Sequence, residues 1–347
     1  MMENKPIQIQ STDKNAVANF TEVVSMIRRT HTEALHVANK AMVDLYWHIG
    51  EYISQRVAES SWGKSVVAEL ANYIASIVSE SKGYSASNLW RMKQFYEMYA
   101  DNEILATLLR ELSWSNNLAI MSRSKSIEER EFYIRLAIKE HLSNRDLVRQ
   151  IKACAFERSM LSDVKLSSVV REFAPLAESV FKDQYVLEFI TGKEAKPENS
   201  FRHALIAKMK NLVLELGKDF LFIDQEYQLQ VGNQDFRIDL LFYHRELQCL
   251  VAFELKTDAF QPEYLGKLNF YLEALDRDVK KPKENPSIGV LLCKSKDNDV
   301  VEYALSRSMS PTMVAEYQLH LPDKRLLQQR MAELFEQTEE EAEEEKE

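Results

Sequence analysis

The chain has 347 residues, 45% of them hydrophobic, enough for two domains with real cores and no need of covalent staples. Cys154, Cys249 and Cys293 stand far apart with no CxxC or Cys/His spacing, which offers neither a disulfide framework nor a zinc site; no run of about 18 apolar residues suits a membrane span, and the opening MMENKPIQIQSTDKN lacks an apolar h-region, so a reducing cytoplasm is the expected compartment. The formal net charge of -10 does not exclude a nucleic-acid partner, because residues 333–347 hold nine Glu against one Lys while 82–158 hold 13 Lys or Arg against 10 Asp or Glu.

Residues 1–14 are polar and uncapped and read as disordered. From 16 to 59 the pattern is helical, without proline, with one glycine at Gly50 and with Val23, Ile27, Leu35, Val43, Tyr46, Ile49 and Ile53 at helical spacing. His31, His36 and His48 form no i,i+4 pair and read as surface or packing residues. Trp62-Gly63 breaks this helix, and a second covers 65–81 with Val66, Leu70, Ile74 and Ile77 on its core face. After the turn Lys82-Gly83-Tyr84, Ser85 or Ser87 caps a helix over 86–100. Helix, glycine turn, helix is the outline of a helix-turn-helix. Its second helix is expected to pack through Leu89, Met92, Tyr96 and Tyr99, with Trp90 in the core. Asn88, Arg91 and Gln94 then share an outer face. Their side-chain types pair with adenine and guanine edges, and Lys93 suits a phosphate; a plain solvated face is the competing reading.

Leu112 to Leu118, LSWSNNL, opens another helix, and Ser126-x-x-Glu129 reads as a capping box for a helix over 127–141. A further helix covers 143–158, where Arg145, Arg149 and Lys152 form a face read as solvated in preference to phosphate-binding. The expected organisation is a helical domain at 15–158, a linker at 159–182, a second domain at 183–335 and an acidic tail at 336–347. In the second domain a periodic helix over 201–217 ends at Gly217, a strand covers 220–231, and Gly232-Asn233 turns the chain.

The next stretch, FRIDLLFYHRELQCLVAFELKTD from Phe236 to Asp258, carries the chemistry. Phe236, Ile238, Leu240 and Phe242 alternate with Arg237, Asp239, Leu241 and Tyr243 as on a strand. After a polar turn around His244, Arg245 and Glu246, the run from Cys249 to Lys256 reads as a buried strand ending in Glu254-Leu255-Lys256. Residues two apart on a strand face one side, so Glu254 and Lys256 emerge together beside the strand that carries Asp239. Two carboxylates supply hard oxygen ligands for Mg²⁺, and the Leu255 carbonyl can add a neutral one. Lys256, a compact charge, would orient water or steady a phosphate. A surface salt bridge on an edge hairpin is the competing reading. Pro262 opens a helix running to about residue 275, on which Lys267 and Tyr271 share a face. A strand over 287–293, a helix over 298–306, a strand over 312–320 and a helix over 324–335 complete the chain.

An Asp followed by Glu-x-Lys on the next strand resembles the PD-(D/E)XK nuclease superfamily. The words FRIDLLFYHRELQCLVAFELKTDAFQPEYLGKLNFYLEALD and NPSIGVLLCKSKDNDVVEYALS, with LSWSNNL and FKDQYVLEF, resemble the YhcG-like family of bacterial PDDEXK nuclease-domain proteins over about 17–334. The resemblance implies an α/β restriction-endonuclease-like C-terminal domain, with an α-β-β-β-α-β core, preceded by an all-α N-terminal domain. It also implies a hydrolase that cuts nucleic acid, DNA in preference, with Mg²⁺ or Mn²⁺ held by Asp239 and Glu254 and with Lys256 as the catalytic lysine. RecB-like relatives carry Gln-x-x-x-Tyr on the following helix; here Lys267 stands where Gln would be, and Tyr271 matches. Relatives often add an acid near the start of the helix before the meander, where this chain offers Phe201-Arg202-His203 with Glu198 just before. The alternative is a DNA-binding or partner-binding protein whose nuclease domain is inactive or needs a partner. A homo-oligomer or partner protein stays open, and no membrane is expected. No GxSxG word or GxxxxGK[ST] loop appears, which argues against serine-hydrolase chemistry and nucleotide-driven translocation.

Overall fold

A computed structural model describes residues 14–59, 63–78 and 83–344. The expectations placed on 1–13, on Trp62, on residues 79–82 and on the last three residues lie outside the described residues. The chain divides into two compact units, Met1–Asn144 and Arg145–Glu347.

The first unit is helical: α1 (Lys14–Ala58), α2 (Lys64–Ile77), α3 (Ala86–Tyr99), α4 (Glu103–Leu108), α5 (Trp114–Arg123) and α6 (Ile127–Lys139). Tyr46, Ile53, Val67, Leu89 and Met92 form the core that joins α1, α2 and α3. Gly50 permits the close approach of α1 to α3, since a Cβ there would lie 2.1 Å from the Met92 carbonyl oxygen. Serines start three of these helices: Ser85, Ser113 and Ser126 accept from the backbone N–H of Asn88, Asn116 and Glu129. Glu129 turns back onto the Lys125 N–H at 2.8 Å, one residue earlier than the cap itself. α3 buries Phe95 where Tyr96 was expected, and Trp90 is partly buried against the core. The LSWSNNL word is structural. Ser113 caps α5, Asn116 donates to the Leu142 carbonyl at 3.1 Å and Asn117 to the Leu109 carbonyl at 3.0 Å.

The second unit holds α7 (Asn144–Lys152), α8 (Ala155–Met160), α9 (Ser168–Phe173), α10 (Ala177–Val180), β1 (Gln184–Val186), α11 (Glu198–Ala207), α12 (Met209–Leu216), β2 (Phe220–Val231), β3 (Gln234–His244), β4 (Cys249–Leu255), α13 (Tyr264–Ala274), β5 (Ile288–Cys293), α14 (Asn298–Leu305), β6 (Thr312–Gln318) and α15 (Lys324–Glu344). Its sheet has the order β1-β6-β5-β4-β3-β2, antiparallel from β2 to β4 and parallel from β4 through β5 and β6 to β1. Helix, three-stranded meander, helix, strand is therefore realised, with β1 added at the far edge. β4 is buried at every position, as its unbroken apolar run requires of a central strand. Phe201, Leu205 and Leu216 cover one sheet face against Leu240, Phe242 and Phe253, while Leu268, Leu272 and Val301 cover the other against Leu241, Ala252 and Leu291.

Several expected elements differ: the helix over 201–217 is split at Lys208 into α11 and α12, and α15 continues to Glu344 through most of the expected acidic tail. The helix over 143–158 is broken at Cys154, whose φ of 52° is left-handed, and the segment expected to link two domains packs into the second unit through Leu166, Val170, Ala177 and Phe181. A buried carboxylate ties these segments together. Glu215, with no exposed side-chain surface, meets Arg149 at 3.1 Å, Arg158 at 3.0 Å and Lys182, and accepts from the Val186 N–H at 3.0 Å. Burial alone would raise its pKa, but those three cations hold it down at about 2. Arg149, expected on a solvated face, is thus committed to Glu215 and Glu188.

Candidate active site

The site lies where β3 and β4 end, beside the first turn of α11 and one face of α13. Leu240 pairs with Phe253 across the hairpin, and the next step of the same register sets Asp239 beside Glu254. Directly opposed residues share a sheet face with side chains about 5 Å apart. The two acids therefore converge as the hairpin pattern requires.

Glu254 is 1% exposed. Its Oε1 accepts from Lys267 Nζ at 2.7 Å and from Lys256 Nζ at 3.2 Å. Its Oε2 is buried and has no hydrogen-bond partner among the described residues. Burial, and after it the Asp239 charge, raise the Glu254 pKa, and the two lysines only partly oppose this. Burial also works against the Lys256 ammonium, but Glu254 and Glu198 outweigh it and hold its pKa above the ordinary lysine value. Lys267 behaves alike: its hydrogen bond to Glu254 overrides burial.

Asp239 is largely covered. Its Oδ1 accepts from Arg202 Nη1 at 2.7 Å, and its Oδ2 accepts from the Leu255 N–H at 2.9 Å. In an extended strand the N–H and C=O of one residue project toward the same neighbour, so the Leu255 backbone faces Asp239 with both of its polar groups. Lys256 Nζ also lies 3.3 Å from Glu198 Oε2 and 5.2 Å from the Tyr264 ring centroid. Tyr271 is 2% exposed beneath Lys267, whose Nζ is 5.4 Å from the ring centroid, and burial raises the pKa of its hydroxyl.

The structure thus brings Asp239, Glu254, Leu255, Lys256, Lys267 and Tyr271 together, and adds three residues that pattern reading did not select as site members. Glu198 and Arg202 project from successive turns of α11, and Glu226 of β2, whose φ of 47° is left-handed, receives Arg202 Nη2 at 2.8 Å. Their i,i+4 spacing on one helix was the available signal for the first pair.

The donor set suits a hard divalent cation. A buried carboxylate oxygen without a donor, opposite a second carboxylate, is an arrangement that positive charge satisfies. Among the described residues no group of three or more His, Cys, Asp or Glu side chains is gathered for a metal. Asp239 and Glu254 would therefore leave the remaining coordination to backbone, water and substrate oxygen.

The four residues expected at a nucleic-acid face separate into two kinds. Asn88 is used by the fold, donating to the Gly83 carbonyl at 2.6 Å and accepting from Trp114 Nε1 at 3.1 Å. Lys93 is bonded to Glu97 at 2.6 Å and lies over the Trp90 ring. Arg91 and Gln94 are exposed.

Residues 178–332 match the family model described as the YhcG PDDEXK nuclease domain, and residues 22–158 match the DUF1016 N-terminal domain. The chain belongs to the YhcG-like family of PDDEXK nuclease-domain proteins. The Escherichia coli (strain K12) protein named "Putative nuclease YhcG" is 29% identical over 360 residues, covering 92% of this chain and 95% of that one. Among solved structures, a repair endonuclease from Pyrococcus abyssi is 17% identical with a TM-score of 0.24, and an EndoMS complex with dsDNA is 18% identical with a TM-score of 0.22. Each alignment covers 34% of this chain, which spans about half the length of those two, 47% and 46%. The family assignment rests on the two domain matches. YhcG-like proteins are thereby nucleases of the PDDEXK class, which generally work with divalent metal ions. Among the described residues no helix is long and apolar enough to cross a membrane.

Proposed function

We propose that the protein is a Mg²⁺-dependent nuclease, with Mn²⁺ as a working substitute, that hydrolyses phosphodiester bonds in nucleic acid and acts on DNA in preference to RNA. The observation that carries this reading is the Glu254 carboxylate, set beside Asp239 by the hairpin register: one oxygen is shared by two lysines, and the other is buried with no hydrogen-bond partner among the described residues. Asp239 and Glu254 would hold the ion, with the Leu255 carbonyl as a neutral ligand. When bound, the ion would supply Lewis acidity to the phosphate and a lowered pKa to water. Lys256, kept protonated by its two carboxylate neighbours, orients the attacking water and offsets charge building on the phosphate oxygens. Lys267 holds Glu254 and lies over Tyr271, so these two residues set the carboxylate that faces the substrate. Support for a DNA contact on α3 is narrower than the sequence suggested, since Arg91 and Gln94 alone of the four expected residues are exposed.

One observation favours a second reading, in which the nuclease rests until substrate or a partner rearranges it. Each metal-binding carboxylate already carries a cation, Arg202 on Asp239 and Lys267 on Glu254. One assay addresses both readings: purified protein with labelled single- and double-stranded DNA and RNA, in Mg²⁺, Mn²⁺ or chelator, beside Asp239→Ala and Lys256→Ala. The expected result is metal-dependent cleavage, DNA before RNA, lost in both variants while DNA binding persists. Cleavage that survives Asp239→Ala would overturn the assignment. Binding without cleavage in every metal, with cleavage restored by a cell extract, would favour the resting enzyme.

A further inference from the structure

Over its first half α1 is an exposed helix, touched by its own unit where His36 Nε2 lies 3.1 Å from Glu111. Between Phe20 and Ala38 every described side chain of α1 is exposed, across five turns. Beyond that point one face enters the core of its own unit through Val43, Tyr46, Gly50 and Ile53, and Lys40 reaches Glu111 at 2.7 Å. An unsupported helix of this length is marginal in water, and here it includes β-branched Val23, Val24, Ile27 and Val37. Helices of this kind are held by packing of an apolar face, so the arm implies something that covers it.

A 3-4 alternation runs through Phe20, Val24, Ile27, His31, Ala34, Ala38, Ala41 and Leu45, apolar at every position except His31. That is a 3.5-residue repeat, the period of a helix-to-helix seam. At 100° per residue the centre of the seam lies about 110° round α1 from the face that carries Val43, Tyr46, Gly50 and Ile53, so it adjoins the core-facing side and is left outside it. Phe20, Val24, Ile27 and Leu45 are 52%, 44%, 62% and 45% exposed.

We propose that this seam is a self-association surface, on which α1 of a second copy packs antiparallel about a two-fold axis lying between residues 32 and 33. The sequence is self-complementary in that arrangement. Phe20 meets Leu45, Val24 meets Ala41, Ile27 meets Ala38 and His31 meets Ala34, so the bulky half of one seam fills the small half of the other. A parallel pair would stack Phe20 on Phe20 and His31 on His31 while leaving the alanines facing one another across a gap. The charged side chains sit mainly outside the seam, Arg29 with Glu33 on the far side and Lys40 with Glu111, so no like charges are forced together. Two helices in contact over the 26 residues from Phe20 to Leu45 run about 39 Å together. They bury on the order of 1,000 Å² in total, the lower end of specific interfaces, where weak and transient pairs fall.

The test uses the full chain in sedimentation velocity across the micromolar range. A concentration-dependent dimer is expected, and Ile27→Glu should weaken it about 100-fold, since two copies of the charge enter one seam. The melting of the body of the protein should not change, because Ile27 is exposed. Orientation is read by a short bismaleimide cross-linker on Ile27→Cys and Ala38→Cys chains, the three native cysteines being buried. Cross-linking on mixing the two chains, and in neither alone, supports the antiparallel seam. Cross-linking of Ile27→Cys by itself, a monomer at every concentration, or a dimer indifferent to Ile27→Glu would each overturn it.

Discussion

Replacing Arg202 by methionine keeps the length and most of the apolar stem of the side chain but removes the charge that Asp239 and Glu226 share. The guanidinium is 10% exposed and Asp239 13%, so the 2.7 Å bond between them is nearly free of solvent screening, whereas Glu226 at 39% is screened. A charge-assisted bond of the first kind stabilises by about 1.5–3 kcal/mol and a screened pair by about 0–1 kcal/mol. The cost stays below the full price of an orphaned buried charge because Asp239 keeps the Leu255 N–H at 2.9 Å. About 2–3 kcal/mol is expected, or a fall of about 5–10 °C in the melting of the second unit followed by calorimetry. Asp239 and Glu254 then face each other with less positive charge between them. Mg²⁺ at ten times its dissociation constant should return about 1.4 kcal/mol, or about 4 °C. Adding Asp239→Ala to the variant should abolish that return. A fall below about 1 °C, or a Mg²⁺ effect that persists without Asp239, would refute the account of both the pairing and the metal site.

Glu215 carries a second expectation. Its folded pKa of about 2 lies below the ordinary glutamate value of 4.5, so the group contributes stability present above the unfolded value and lost as pH falls from about 4.5 toward about 2. The difference corresponds to about 3 kcal/mol, and Glu215→Gln should cost about 3–5 kcal/mol at neutral pH because Arg149, Arg158 and Lys182 keep their charges without it. Denaturant melts of the two chains should converge in acid; a gap that ignores pH would count against the cluster. Glu254 is shifted the other way, so it takes up a proton at higher pH than an ordinary glutamate, and cation binding should weaken as pH falls through that raised value. Calorimetric Mn²⁺ titrations read the midpoint, which must lie above the ordinary glutamate range. In the first unit, Gly50→Ala drives a methyl group to 2.1 Å from the Met92 carbonyl and should destabilise the packing of α1 on α3 by about 3 kcal/mol, seen in helical melting by circular dichroism. A loss under about 0.5 kcal/mol would mean the two helices separate freely.

Sequence by itself determined the parts of this protein that short-range physics controls. Strand β2 runs over the expected 220–231, Ser85 and Ser126 cap the helices they precede, and the two-residue period puts Glu254 and Lys256 on one face beside Asp239. These follow from steric and hydrogen-bond preferences of a few neighbouring residues. Tertiary structure decided what each polar side chain is paired with. Arg202 reaches Asp239 across 37 residues and Arg149 reaches Glu215 across 66, while Asn88 is taken up by Gly83 and Trp114. Nothing in the local pattern distinguishes a solvated arginine from a buried one, because both satisfy the same helical period. The difference arises only when helices pack on the sheet and a charge taken out of water must find its partner among groups distant in the chain. The same burial leaves one oxygen of Glu254 with no hydrogen-bond partner among the described residues, a feature that the Glu-x-Lys spacing alone does not reveal.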